Sequence, residues 1–71
     1  VLKIEASSIK KLLVLAWHIG NRHILAEIHN DFIIIKRDEV IGKMLKLLGA
    51  KVYKKKLSFT PESGAYHEHK L

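Results

Sequence analysis

The stretch HILAEIHNDFIIIKRD, residues 23–38, consists of two runs of strand-forming residues separated by Asn30 and Asp31. Asn and Asp bond readily to local backbone, so the runs are expected to fold back as an antiparallel hairpin over residues 23–29 and 32–37. Phe32 to Ile35 is apolar without alternation. That predicts a strand buried on both faces, either central in its sheet or covered by something outside this chain.

Helical signals flank the hairpin. Upstream, Ser7 or Ser8 offers a hydroxyl N-cap, and Ile9, Leu12, Leu13, Ala16 and Gly20 recur at helical spacing as the expected core-facing stripe. Gly20 and Asn21 tolerate the left-handed conformation that ends a helix, so the stop is placed there. Downstream, Asp38 is the N-cap of a second helix with Val40, Ile41, Met44, Leu45 and Leu48 along one face and Gly49 at its stop. A strand is expected at each end of the sequence. VLKIE, residues 1–5, alternates with Leu2 and Ile4 on one side, and KVYKKKLSF, residues 51–59, closes the set. Strand, helix, strand, strand, helix, strand predicts an α+β fold. It is a ferredoxin-like βαββαβ sandwich, in which a four-stranded antiparallel sheet carries two helices on one face. The other face is then bare, carries Ile33 or Ile35, and is expected to be hidden in a two-fold homodimer. Residues 1–60 form the domain. Residues 61–71 read as a flexible histidine-containing tail, since Pro61, Ser63 and Gly64 break regular structure.

Composition narrows the function. A chain of 71 residues is one small domain, and such a domain buries only about 60% of its unfolded surface, so oligomerisation, a metal or a neighbouring domain is expected to supplement it. The sequence has no cysteine, which removes disulfides and thiolate metal sites. No apolar run approaches the roughly 18 residues of a membrane span. The chain starts at Val1 without a signal-peptide pattern, which suggests a domain of a longer protein. A net charge of +6, densest at Lys54, Lys55 and Lys56, permits an acidic partner without specifying one.

The five histidines are the remaining chemistry. With Ile9 taken as the core direction, His18 falls nearly opposite the apolar stripe and faces water or a partner. His23 lies past the expected helix stop and opens the next element, so His18 and His23 are not a pair on one helix face. On spacing alone, the simplest reading of His18 is a solvated helix-surface residue and that of His23 a strand-start residue bonded to local backbone. His29, in the hairpin turn, reads as a solvated loop residue. His67 and His69 are one residue apart, so in an extended segment both imidazoles project the same way and could close on one ion. Imidazole nitrogen suits nickel, copper and zinc alike. Spacing alone leaves metal binding and a chance terminal pair both open.

Three strings together resemble a known family: WHIGNRH (17–23), RDEVIGKMLKLLGAKV (37–52) and FTPESGAYHEH (59–69). They are similar to the C-terminal metal-binding domain of the UreE-type urease accessory protein, a nickel metallochaperone. The resemblance implies that His23 lies at a homodimer interface where two copies share a nickel site, and that His67 and His69 supplement the ligand set. His18 is a weaker candidate. Arg37, Asp38 and Glu39 stand where some members carry further histidines, so no auxiliary site is expected there. Delivery of nickel to apo-urease during active-site assembly is implied, with zinc or copper able to bind in vitro. So are the urease apoprotein and an accessory GTPase as partners and a cytoplasmic location, while a homodimer and a metal-linked tetramer of two dimers both stay open.

An enzyme is not expected. Ser7, Ser8, Ser58 and Ser63 read as cap, strand and loop residues, and no glycine-rich phosphate loop or nucleophile-base pair is present. Imidazoles shared at an interface can release metal more readily than a closed thiolate cage, and protonation weakens them because imidazolium cannot ligate. Two other classes share the fold. An RNA-binding domain stacks bases on exposed strand aromatics, whereas Phe32 is the only aromatic of this hairpin. A structural dimerisation domain would leave the histidines incidental.

Overall fold

The computed structural model describes residues 1–63. Its elements run β1 (Leu2–Glu5), α1 (Ile9–Asn21), β2 (Ala26–Ile28), β3 (Ile33–Ile35), α2 (Glu39–Leu47) and β4 (Lys51–Lys54). The strands form one antiparallel sheet in the order β2-β3-β1-β4, the ferredoxin-like arrangement that the element order predicts. The hairpin closes at Asn30 and Asp31, where the His29 N–H donates to the Phe32 carbonyl at 2.9 Å.

Register determines the core. Leu2 faces Ile35, and Ile4 faces Ile33 on one side and Val52 on the other, so these side chains share the face that meets the helices. Leu12, Leu15 and Ile19 of α1 and Leu45 of α2 complete the cluster. Each buried leucine or isoleucine contributes about 1.5–3 kcal/mol of transfer free energy. The Ser8 Oγ accepts from Lys11 N–H at 3.1 Å and the Asp38 Oδ1 from Ile41 N–H at 3.0 Å, so each helix starts on a side-chain cap. Gly42 lets α2 lie close to β1, because a Cβ there would stand 3.3 Å from Leu2 Cδ1.

The helix phases differ from the expected ones. Of the expected α1 stripe, Ile9 is 68% and Leu13 65% exposed and Gly20 is also exposed, while Leu15 and Ile19 point inward instead. On α2, Val40 and Leu48 are exposed and the buried positions are Gly42 and Leu45. A helix as apolar as α1 presents several possible stripes, and contact with the sheet selects one of them.

The far face is not bare. Ile33 and Ile35 point to the helices, so Ile34 is the residue on the opposite side, and it is only 3% exposed. The chain itself runs across that side. β4 ends at Lys54, four residues into the nine-residue strand expected there, with Lys55 N–H bonded to the Val1 carbonyl at 3.0 Å. Residues 55–63 then pass from the β4 edge to the β2 edge. Glu27, which faces Ile34 in the register, receives the Thr60 N–H on Oε1 at 2.7 Å. Glu62 donates its N–H to the Ala26 carbonyl at 2.7 Å and accepts the Ile28 N–H on Oε2 at 3.2 Å. Thus Glu62, within the expected tail, is bonded to β2, whereas residues 64–71, with His67 and His69, lie outside the described residues.

Glu27 is the clamp of this crossing segment. The Thr60 amide, and then His29, whose Nε2 lies on Glu27 Oε2, hold its carboxyl below the ordinary value of 4.5. The interaction is therefore complete at neutral pH and is lost as pH falls through the lowered folded value. In an NMR pH titration the Thr60 amide resonance should move with a midpoint below 4.5, and Glu27→Gln should abolish that movement. A Thr60 amide insensitive to Glu27 would show that the segment is held by other contacts.

Candidate metal-binding site

The two helices stop in the same way with different residues. At the end of α2, Gly49 sits in the left-handed region at φ 94°; its N–H bonds the Lys46 carbonyl at 3.0 Å and the Ala50 N–H bonds the Leu45 carbonyl at 3.0 Å. At the end of α1, His23 takes that place at φ 58°, with its N–H on the Gly20 carbonyl at 3.0 Å and the Ile24 N–H on the Ile19 carbonyl at 3.2 Å. Both are Schellman closures, in which the left-handed residue is ordinarily glycine. A Cβ in that conformation costs about 1–2 kcal/mol. His23 is the only non-glycine residue with positive φ among the described residues.

This corrects the expected helix stop. Gly20 and Asn21 remain helical, Arg22 is the cap, and the left-handed residue is His23 itself, so β2 starts only at Ala26. The Arg22 Nη1 donates to the His18 carbonyl at 3.2 Å, tying the cap to the last turn. One sequence signal does mark the turn. Ile19 and Ile24, five apart, repeat the spacing of Leu45 and Ala50, the apolar pair that accompanies this closure.

The His23 side chain is exposed and borders a shallow, mostly apolar depression with Leu25, Ile28, Glu62 and Ser63. The crossing segment thus brings Ser63 alongside His23. The neighbouring outer face of α1 is apolar as well. Ile9, Leu13 and Trp17, spaced four apart, are each more than three-fifths exposed.

The other histidines divide differently. His18 is half-buried on the flank of α1, nearer the core than expected, and its ring stands edge-on to Trp17 with centroids 5.0 Å apart. His29 is not merely solvated, since it pairs with Glu27 and stacks on Phe32 at 4.2 Å. Among the described residues no three His, Cys, Asp or Glu side chains converge on a point that could hold a metal ion. His23 therefore supplies one exposed nitrogen donor, and any closed site needs donors from beyond the described part of one chain.

A family model described as the C-terminal domain of the UreE urease accessory protein matches residues 1–71. The chain belongs to the UreE family. Proteins named urease accessory protein UreE include one from Chelativorans sp. (strain BNC1), 55% identical over 60 residues that make up 84% of this chain and 38% of that protein. The one from Rhizobium etli (strain CIAT 652) is 53% identical over 58 residues, 82% of this chain and 29% of that protein. The one from Synechococcus sp. (strain CC9311) is 42% identical over 71 residues, 97% of this chain and 46% of that protein. The chain thus spans less than half the length of these UreE relatives. They are named as accessory proteins and not for a reaction of their own.

Because glycine adopts φ near 58° without strain, His23→Gly should leave the fold as stable or raise its stability by up to about 1 kcal/mol, the relief of strain being partly offset by glycine's greater unfolded-state entropy. His23→Val, with a branched Cβ, should lower it by about 1–2 kcal/mol. Urea unfolding midpoints of the two variants check this. A destabilised glycine variant would mean that the imidazole itself supports the fold.

Proposed function

We propose that this chain is a nickel-binding metallochaperone domain that delivers nickel to apo-urease during assembly of its active site, holding the ion with His23 at a homodimer interface. The observation that carries this reading is the imidazole at a position built for glycine. Strain kept at an exposed residue is explained by what that side chain does, since a glycine would close the helix at lower cost.

The dimer follows from the surface beside it. Ile9, Leu13 and Trp17 form an exposed apolar stripe on the helix that ends at His23. A second copy seated on α1 buries this stripe, and a two-fold axis near the end of α1 brings one imidazole from each chain to a common ion. The dimer surface is then α1, whereas the far side of the sheet is occupied by residues 55–63. His67 and His69 are proposed as supplementary ligands. Ser63 borders the same depression as His23, and the four residues from there to His67 span at most about 14 Å. His18, on the flank of α1, is the weakest of the proposed ligands.

A site of imidazoles from different segments suits a carrier. Each donor is held independently, so ligands can be exchanged one at a time for those of the recipient. Zinc or copper can occupy such a site in vitro. The proposed partners are the urease apoprotein and the accessory GTPase of urease maturation, in the cytoplasm. No helix among the described residues is long and apolar enough to cross a membrane.

Light scattering and calorimetric titration with nickel test the reading on the same samples. The expected result is a dimer that binds one nickel ion per two chains, with binding lost in His23→Gly, whose fold is retained, and the dimer lost in Trp17→Glu. A monomeric wild-type chain, or undiminished nickel binding in His23→Gly, would overturn it.

A further inference from the structure

The edge of the sheet opposite His23 carries a different chemistry. Two adjoining grooves meet at Lys54. One, of about 90 Å³, is floored by Leu2, Gly42 and Val52 and rimmed by Lys43, Lys46 and Lys54; the other, of about 340 Å³, lies between Arg37 and Lys54, Lys55 and Lys56. All six cations are exposed. Two carboxylates lie among them and both are engaged. Asp38 caps α2 through the Ile41 N–H, and Glu39 Oε1 lies 3.1 Å from Arg37 Nη2 and 3.5 Å from Lys54 Nζ. Lys43, Lys46, Lys55 and Lys56 form no ion pair among the described residues.

Lysines on an edge strand discourage chance strand pairing, and that accounts for Lys51 and Lys54 on β4. It does not account for Lys43 and Lys46, which project from α2 over the same groove. Crowding like charges here opposes folding, and an opposite charge brought by a partner relieves it. Glu39 shows which opposite charge the surface accepts, since its carboxylate already bridges Arg37 and Lys54 and is held below its ordinary titration range, by Arg37 first and Lys54 next.

We propose that the β4–α2 edge is a docking surface for a carboxylate-rich segment of a partner protein, whose acidic side chains seat between these lysines with their methylene stems on the Leu2–Val52 floor. Carboxylates fit better than the phosphates of a nucleic acid. No aromatic side chain lines either groove to stack a base. The surface is independent of His23, which borders the opposite edge strand, β2.

Fluorescence anisotropy with a labelled oligoglutamate peptide tests the proposal on the full chain at about 50 mM salt, where screening is weak. Lys43→Glu with Lys46→Glu should weaken binding by about ten-fold, whereas Lys10→Glu with Lys11→Glu, the same change of charge on α1, should weaken it by less than about two-fold. Circular dichroism confirms that both variants are folded. Equal weakening by the two pairs would reduce the effect to net charge and overturn the proposal. So would tighter binding of an oligothymidylate of matched charge, which would make the surface one for nucleic acid.

Discussion

A strand that is apolar on both faces must be covered twice, and the arrangement of this domain follows from that requirement. β3 sends Ile33 and Ile35 to the helices and Ile34 to the other side. Among the described residues no further helix or strand lies over Ile34, and residues 55–63 cross the sheet there, held by Glu27 and by the β2 backbone. The crossing has two effects on the site. It removes the far side of the sheet from the surfaces open to a second copy, and it carries the chain from the β4 edge to Ser63, next to His23. The segment that covers one isoleucine thereby also brings Ser63 beside the candidate ligand.

The two helix ends provide an internal comparison. They make the same pair of backbone hydrogen bonds and differ in the left-handed residue, Gly49 in one and His23 in the other. The backbone geometry is thus not what requires a histidine. Hydrogen bonding gives no reason for it either, because both closures are complete through main-chain groups. What distinguishes the α1 end is its surroundings, namely an exposed imidazole beside an apolar depression and an unpaired apolar stripe.

Much of this was legible in the residues, and the failures have physical causes. Ser8, Asp38, Gly49 and the Asn30–Asp31 turn act through bonds to near neighbours, so local reading finds them. The phase of α1 is not legible locally, because Ile9, Leu12, Leu13, Val14, Leu15, Trp17 and Ile19 make the helix apolar around most of its circumference, and only docking decides which side faces inward. The covering of Ile34 has no local signal, because it depends on Glu27 and Thr60, 33 residues apart. The resemblance points to His23, but its left-handed backbone has no such signal, since Gly20 and Asn21 offer a more ordinary stop two residues earlier. His67 and His69 lie outside the described residues, so the geometry of the tail pair adds nothing to its spacing.

The order β2-β3-β1-β4 has an electrical consequence. It puts three strand spacings of about 4.8 Å, roughly 14 Å in all, between the β2 edge, where His23 lies, and the lysines of the β4 edge. That exceeds the Debye length of about 8 Å at physiological ionic strength. Under the proposed function, a divalent ion held at His23 would therefore be largely screened from the cationic edge, so docking of an acidic segment there is expected to differ little with and without metal.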